Sequence, residues 1–302
     1  LAFLMPIAFE SFHFDEYDLV ISVTSEAAKG IITKPGTKHI CYILTPTRYL
    51  WSGYDEYFRN PILKFLAAPI VKYLRRWDRI AAHRPDKIAA ISTEVQRRVK
   101  KYYGLESNII FPPSGFISTF KSRTSNFYLV VSRLVPYKRV DIVIEAFNRL
   151  KYPLVVVGTG TEQFKLKFKS LSAQAGQNNV KFVGQVTDEE LAGYYANCKA
   201  LIFPQEEDFG LVAVEAQTFG KPVIAYRAGG ALDIVIDGNL SAQAGTGIFF
   251  DDQSVESLIA AVKKFGNLTA DWRGLKFDSK IIVQNAQRFS KERFRKGFLK
   301  LL

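Results

Sequence analysis

Two hydrophobic rhythms alternate along the chain. Short β-branched or aromatic runs bounded by polar, Gly or Pro residues, such as Asp18–Val23 and His39–Leu44, predict buried parallel strands. Between such runs, apolar residues recur at three- and four-residue steps. From Pro61 to Ala82 these are Ile62, Phe65, Leu66, Pro69, Ile70, Tyr73, Leu74, Trp77 and Ile80, with Lys64, Lys72, Arg75, Arg76 and Arg79 mostly between them. The spacing predicts an amphipathic helix bent at Pro69, its stripe packing Leu74 and Trp77 on a sheet. Lys87–Ile91 predicts a further strand. Ser92 opens a helix that runs to Tyr103 and closes at Gly104, and Asn108–Phe111 returns to strand.

Pro112-Pro113-Ser114-Gly115 breaks any regular element, and the Ser/Thr-rich residues through Asn126 read as a linker. The expected organisation is a first domain at 1–113, a linker at 114–126, a second domain at 127–285, and a terminal helix at 286–302 that packs back on the first domain. The second domain alternates strictly. Strands Tyr128–Ser132, Leu154–Val157, Val180–Val183, Ala200–Phe203 and Val223–Ala225 are interleaved with helices Val140–Leu150, Glu162–Ala175, Thr187–Ala196, Leu211–Phe219 and Val255–Phe265. That succession predicts an α/β fold with a doubly wound parallel sheet.

A chain of 302 residues, 48% hydrophobic and 23% charged, has the balance of a globular protein, which excludes disordered, collagen-like and coiled-coil classes. It holds no apolar run of about eighteen residues, so no membrane-spanning helix is expected. Cys41 and Cys198 stand too far apart for a metal motif and read as buried hydrophobes of a reducing, cytoplasmic chain. Leu1–Phe9 has neither a charged start nor a cleavage site, so it is not read as a signal peptide, and the missing Met suggests an absent start. The net charge of +12 is concentrated. Phe58–Lys101 carries twelve Lys and Arg against three acids, enough to attract phosphates on nucleic acid, anionic lipid or a nucleotide-linked substrate, or else to form a solvated face.

Ligands of a doubly wound sheet bind beyond the carboxyl ends of its strands. After Tyr128–Ser132 come Arg133 and Lys138, a guanidinium fork and a point charge beside a helix start that favours anions. After Leu154–Val157 come Gly158 and Gly160, which allow close backbone approach. A dinucleotide fingerprint is not completed there, because its third glycine and the later acid are missing. After Ala200–Phe203 comes Pro204-Gln205-Glu206-Glu207-Asp208-Phe209-Gly210-Leu211-Val212-Ala213-Val214-Glu215. Carboxylates there can accept bonds from sugar hydroxyls while backbone N–H groups hold a phosphate. The plainer alternative is that both glutamates only favour a helix start.

Glu207, seven intervening residues and Glu215, with Phe209-Gly210-Leu211 between and Gly220-Lys221-Pro222-Val223 following, resemble the nucleotide-sugar motif of retaining GT-B glycosyltransferases of family 4. Val131-Ser132-Arg133-Leu134 with Lys138 is similar to the family's diphosphate-binding pair, and Ala228-Gly229-Gly230 to its later glycine loop. Cys41–Tyr49, Lys101–Gly104 and Pro112-Pro113 resemble the subgroup that includes mannosyltransferases of O-antigen and capsule assembly. The resemblance implies a GT-B-like fold of two doubly wound Rossmann-like domains, with the first incomplete. Domains of the usual size would add roughly eighty residues at the start.

The resemblance also implies roles. Arg133 and Lys138 would neutralise the donor diphosphate and, with Glu207 on the sugar hydroxyls, form the catalytic set. Glu215 would bind ribose, while Phe209, Gly210 and Leu211 would assist. Gly158 and Gly160 would line the donor site, Val183 and Gly184 would lie beside the base, and Thr45 and Arg48 would stand on the acceptor side. The family is metal-independent. The implied donor is a nucleotide-sugar, GDP-mannose or alternatively a UDP-sugar. A lipid-linked or saccharide acceptor is implied, with an anionic inner-membrane surface as partner and no nucleic acid. The subgroup carries His where this chain has Leu44, and leucine cannot donate to a hydroxyl. That departure keeps a second expectation open, a non-catalytic binder of sugar-nucleotides or membrane surfaces.

Overall fold

A parallel strand covered on both faces needs apolar residues at consecutive positions, and most strands of this chain have them. The computed structural model describes residues 2–116, 125–172, 179–238, 245–270 and 277–302. Residues 117–124 of the expected linker and 173–175 of the expected helix Glu162–Ala175 lie outside the described residues. The chain divides into two compact units, Leu1–Pro112 with Phe294–Leu302, and Pro113–Arg293.

The first unit contains α1 (Met5–Glu10), β1 (Leu19–Thr24), β2 (Lys38–Ile43), α2 (Tyr54–Tyr57), α3 (Pro61–Ala82), β3 (Lys87–Ala90), α4 (Thr93–Tyr103) and β4 (Asn108–Ile109). Its strands form a parallel sheet in the order β1-β2-β3-β4. β2 is central and buried almost throughout. β1 is an edge strand covered on one side. Val20, Ser22 and Thr24 are buried while Leu19, Ile21 and Val23 are exposed, so the run expected to be buried is only half so. On the returning C-terminal segment, Phe294 and Phe298 set their rings 5.7 and 5.2 Å from Tyr42.

Local chemistry fixes the helix ends of this unit. Asn60 accepts a bond from Ile62 N–H at 2.9 Å to start α3, and Ser92 accepts one from Val95 N–H at 3.0 Å to start α4. Gly104 closes α4 at φ 74°, a left-handed turn that suits glycine. Leu74 packs as expected, but Ile62, Phe65, Leu66, Ile70, Tyr73 and Ile80 are exposed. The buried side of α3 runs instead through Val71, Leu74, Asp78 and Ala81. The helix touches the unit with its second half, where Leu74 is buried and Trp77, half-buried, donates to Glu10 at 2.6 Å, and the other apolar residues of the stripe point away.

Asp78, 1% exposed, holds that second half in place. It pairs with buried Lys29 at 2.6 Å and accepts bonds from Thr47, Trp51 and Tyr103 at 2.9, 2.7 and 2.7 Å. Both of its oxygens are therefore compensated, the condition under which a buried ion pair is tolerated.

The second unit contains β5 (Tyr128–Val131), α5 (Val140–Leu150), β6 (Leu154–Val157), α6 (Gln163–Ser172), β7 (Val180–Gly184), α7 (Asp188–Asn197), β8 (Leu201–Phe203) and α8 (Leu211–Thr218). There follow β9 (Val223–Tyr226), α9 (Ala231–Ile234), β10 (Gly247–Phe250), α10 (Val255–Ala270), α11 (Ser279–Ala286) and α12 (Lys291–Leu299), the last running into the first unit. The sheet is parallel in the order β10-β9-β8-β5-β6-β7. Tyr128, Phe147, Val156, Ile202, Ile224, Ile248 and Phe265 belong to one buried core. The chain starts in the middle, winds out through β6 and β7, then crosses back to β8. The winding reverses between β5 and β8, and such a switch point opens a crevice at the carboxyl ends of the strands.

Candidate active site

The loops after β5 and β8 meet at that switch point. Val135 breaks the backbone into an extended conformation, Pro136–Lys138 makes one tight turn, and Arg139 enters α5 at φ 52°. A left-handed non-glycine residue needs support from its surroundings. Arg139 donates to the Gln253 side chain at 3.3 Å and to its carbonyl at 3.1 Å, while Gln253 Nε2 donates to the Pro204 carbonyl at 2.9 Å. The start of α5 is thereby tied to the β8 loop.

Across this tie, Lys138 of the β5 loop forms an ion pair with Glu207 of the β8 loop. Glu207 also accepts a bond from Gln205 Nε2 at 2.8 Å, and Lys138 stands 5.2 Å from the Tyr137 ring centre. Both members of the pair are partly covered, at 13% and 23% side-chain exposure, so the charges are held yet reachable. Arg133 is exposed, with its guanidinium 2.5 Å from the Tyr137 hydroxyl. A cation pair and a carboxylate thus lie together at the switch point.

The glycines owe their identity to neighbouring loops. A Cβ on Gly158, whose φ is +121°, would stand 2.0 Å from the Ser132 carbonyl oxygen, and one on Gly160 would stand 2.3 Å from that of Leu134. The β5 and β6 loops are laced by bonds from Leu134 N–H to Thr159 O and from Glu162 N–H to Leu134 O, each 2.9 Å. Gly158 N–H donates to Gly184 O at 2.7 Å, which occupies that donor within the protein. Val183 and Gly184, both half-buried, end β7.

In the β8 loop, Gly210 takes φ +107° as the residue before α8, where a Cβ would meet the Phe203 ring at 2.7 Å. Leu211 is exposed and Phe209 is buried with its ring 5.5 Å from Phe289. The Gly230 N–H donates to Glu207 O at 2.8 Å, so the β9 loop braces the same segment. Glu215, inside α8, accepts a 2.7 Å bond from the Tyr195 hydroxyl of α7. Burial raises its carboxyl above the ordinary value, against the Tyr195 bond, and Asp188 adds to the rise.

In the first unit, Thr45 is buried with its hydroxyl 3.3 Å from the Pro46 carbonyl, and Arg48 is half-buried with its own carbonyl accepting from Gly53 N–H at 2.8 Å. Gln205, Gln253, Tyr137 and Tyr195 are not among the residues that the sequence singles out. Gln253 and Tyr195 work through contacts with another element, which no local pattern announces, while Gln205 and Tyr137 bond Glu207 and Arg133 within their own loops.

Comparison with known proteins matches residues 116–274, just over half of the chain, to the family described as Glycosyl transferases group 1. An uncharacterized glycosyltransferase of Methanocaldococcus jannaschii is 29% identical over 165 residues, 54% of this chain and 46% of that protein. The O-antigen chain mannosyltransferase C of Escherichia coli is 25% identical over 208 residues, 65% of this chain and 53% of that protein. The chain thus spans about half the length of these curated relatives. Among solved structures, the Anabaena protein HepE in complex with UDP and glucose is similar with a TM-score of 0.70 and 19% identity, covering 99% of this chain and 79% of that one.

Proposed function

The chain belongs to the group 1 glycosyl transferases, and we propose that it is a retaining hexosyltransferase of the family 4 kind. It moves a mannosyl group from GDP-mannose, or another hexose from a UDP-sugar, to a lipid-linked or saccharide acceptor at the cytoplasmic face of an anionic membrane. The observation that supports this reading best is the Lys138–Glu207 pair across the β5/β8 switch point, with exposed Arg133 beside it.

In this reading Arg133 and Lys138 neutralise the donor diphosphate, and Glu207 accepts bonds from the sugar hydroxyls. Glu215 receives the ribose, Gly210 and Leu211 offer backbone N–H groups, and Val183 and Gly184 lie beside the base. Gly158 and Gly160 let the β6 loop close on the β5 loop, and Phe209 anchors the donor loop from below. Thr45 and Arg48 serve the acceptor. The anomeric C–O bond breaks with its electron pair passing to the diphosphate. The acceptor oxygen bonds to the same carbon on the same face, and its proton leaves with the diphosphate. Stabilising that departing charge is the main catalytic contribution of Arg133 and Lys138.

Leu44, half-buried just after β2, favours the second reading, a binder of sugar-nucleotides without transfer. Incubation of the chain with GDP-mannose or UDP-glucose and a saccharide acceptor, followed by NMR of the anomeric proton, separates the two. A product with the donor's α-configuration supports the transferase. Donor binding with no product supports the binder, and an inverted product overturns retention.

A further inference from the structure

α3 shows solvent two surfaces that the transfer chemistry does not use. At 100° per residue, Ile62, Leu63, Phe65, Leu66, Ile70, Tyr73 and Ile80 fall within an arc of about 160°, opposite the buried Val71 and Asp78. All seven are exposed, Phe65 at 80% and Ile62 at 68%. An apolar stripe of that length marks an interaction surface. Along one flank lies an open cleft of about 1030 Å³ lined by Lys72, Arg75, Arg76 and Arg79, with Trp51 and Tyr54 among its aromatic residues and no acidic side chain.

Two of these cations are arranged in advance. The Arg75 guanidinium lies 4.6 Å from the Tyr54 ring centre and 5.4 Å from that of Trp51, with its Nε donating to the Leu50 carbonyl at 2.6 Å. Arg79 lies 4.9 Å from the Trp51 ring centre. Trp51 is itself fixed by its bond to Asp78, the residue that seats α3. Lys72 and Arg76 remain exposed at the rim. Four cations without an acid call for an anion, and the adjoining apolar arc calls for an apolar medium. Nucleic acid would satisfy the first surface and leave the second in water.

We propose that this face of the first unit docks on a bilayer containing anionic phospholipid, the arc from Ile62 to Ile70 entering the acyl boundary and a lipid phosphate entering the Trp51–Arg79 cleft. The inference rests on the membrane partner proposed above and identifies the surface, the inserted residues and the phosphate pocket. Among the described residues no helix is long and apolar enough to cross a membrane, so α3 lies in the plane of the interface.

Co-sedimentation with phosphatidylcholine vesicles, alone and mixed with phosphatidylglycerol, tests it. The chain should bind the mixed vesicles and not the neutral ones. The double substitution K72Q/R76Q should lower that affinity at least about tenfold at 0.01 M salt. F65S/L66S should lower it at both low and high salt, and Phe65→Trp should add fluorescence that acyl-chain-brominated lipid quenches. Neither double variant should change melting temperature or the affinity for UDP and GDP. Equal binding to both vesicle types overturns the proposal, as does binding that survives both double variants. So does added fluorescence in the Phe65→Trp variant that brominated lipid leaves unquenched. RNA binding that F65S/L66S leaves unchanged, with no vesicle binding, would assign the cleft to nucleic acid instead. Vesicle binding without nucleotide binding would uphold this surface and remove the transferase reading; the reverse pattern would do the opposite.

Discussion

Lys138 and Glu207 neutralise one another, and Gln205 adds a bond to the same carboxylate. Glu207 is therefore held at a defined point beside Lys138, whereas Glu215 is held by the Tyr195 hydroxyl of the neighbouring helix. These different partners predict different losses. Glu207→Gln keeps the size and one acceptor but removes the charge, so calorimetry should show affinity for the nucleotide-sugar falling more than for the free nucleoside diphosphate. Glu215→Gln should weaken both alike. Equal losses from the two substitutions on both ligands would refute the division. Arg133, Lys138, Glu207 and Glu215 stand out in the sequence as candidates because they follow strand ends and match the motifs of the family it resembles. Gln205 and Tyr195 do not, since a polar residue in a loop and a tyrosine in a helix carry no sign of the carboxylate that each will meet.

The glycine loops join strands into a working end. Gly160 has backbone conformation open to any residue, yet a Cβ there would press on the Leu134 carbonyl, whose amide and oxygen both lace the β5 loop to its neighbour. Gly160→Ala should lower stability by about 1–3 kcal/mol and weaken nucleotide binding as the β5 loop shifts. An unchanged denaturation midpoint with unchanged affinity would show that the lacing carries neither. Elements with strong local signals are legible: α4 with its Ser92 and Gly104 ends, α3 over its full length, and the alternation from β5 to β9. β10 is not: Gly247–Phe250 follows a stretch without the strand–helix alternation that marks the earlier strands. The α3 stripe is turned inward only in part: Leu74 and Trp77 are covered as its pattern suggests, while Ile62, Phe65, Leu66, Ile70, Tyr73 and Ile80 face outward. Periodicity locates an apolar face but not what lies opposite, and Asp78, paired with Lys29, turns the helix so that most of this face points outward.

Two sheets and two cores give the molecule its stability, and its pH response includes a buried histidine in the first. His39, 1% exposed in the central strand, stands 2.8 Å from the Ser22 hydroxyl. Burial pushes its imidazole down to about 4 from the ordinary 6.5, against the attraction of Asp86. Between those values the unfolded chain takes up a proton that the folded chain refuses, so stability is full above pH 6.5 and declines toward pH 4. The loss from this group should reach about 2 kcal/mol at pH 5, and His39→Gln should flatten that part of the profile in denaturant titrations; an unaltered slope would contradict the assignment. The crevice at the β5/β8 switch point is the site proposed above for the donor nucleotide. The most direct measurement of that claim is calorimetric titration of the chain and of Arg133→Ala with UDP and GDP. One charge-assisted bond to a phosphate contributes roughly 1.5–3 kcal/mol. Saturable binding of one nucleotide to the intact chain, weakened about tenfold or more in a variant that remains folded, is the expected result. Absence of binding by either nucleotide, or equal affinity in the folded variant, would contradict it.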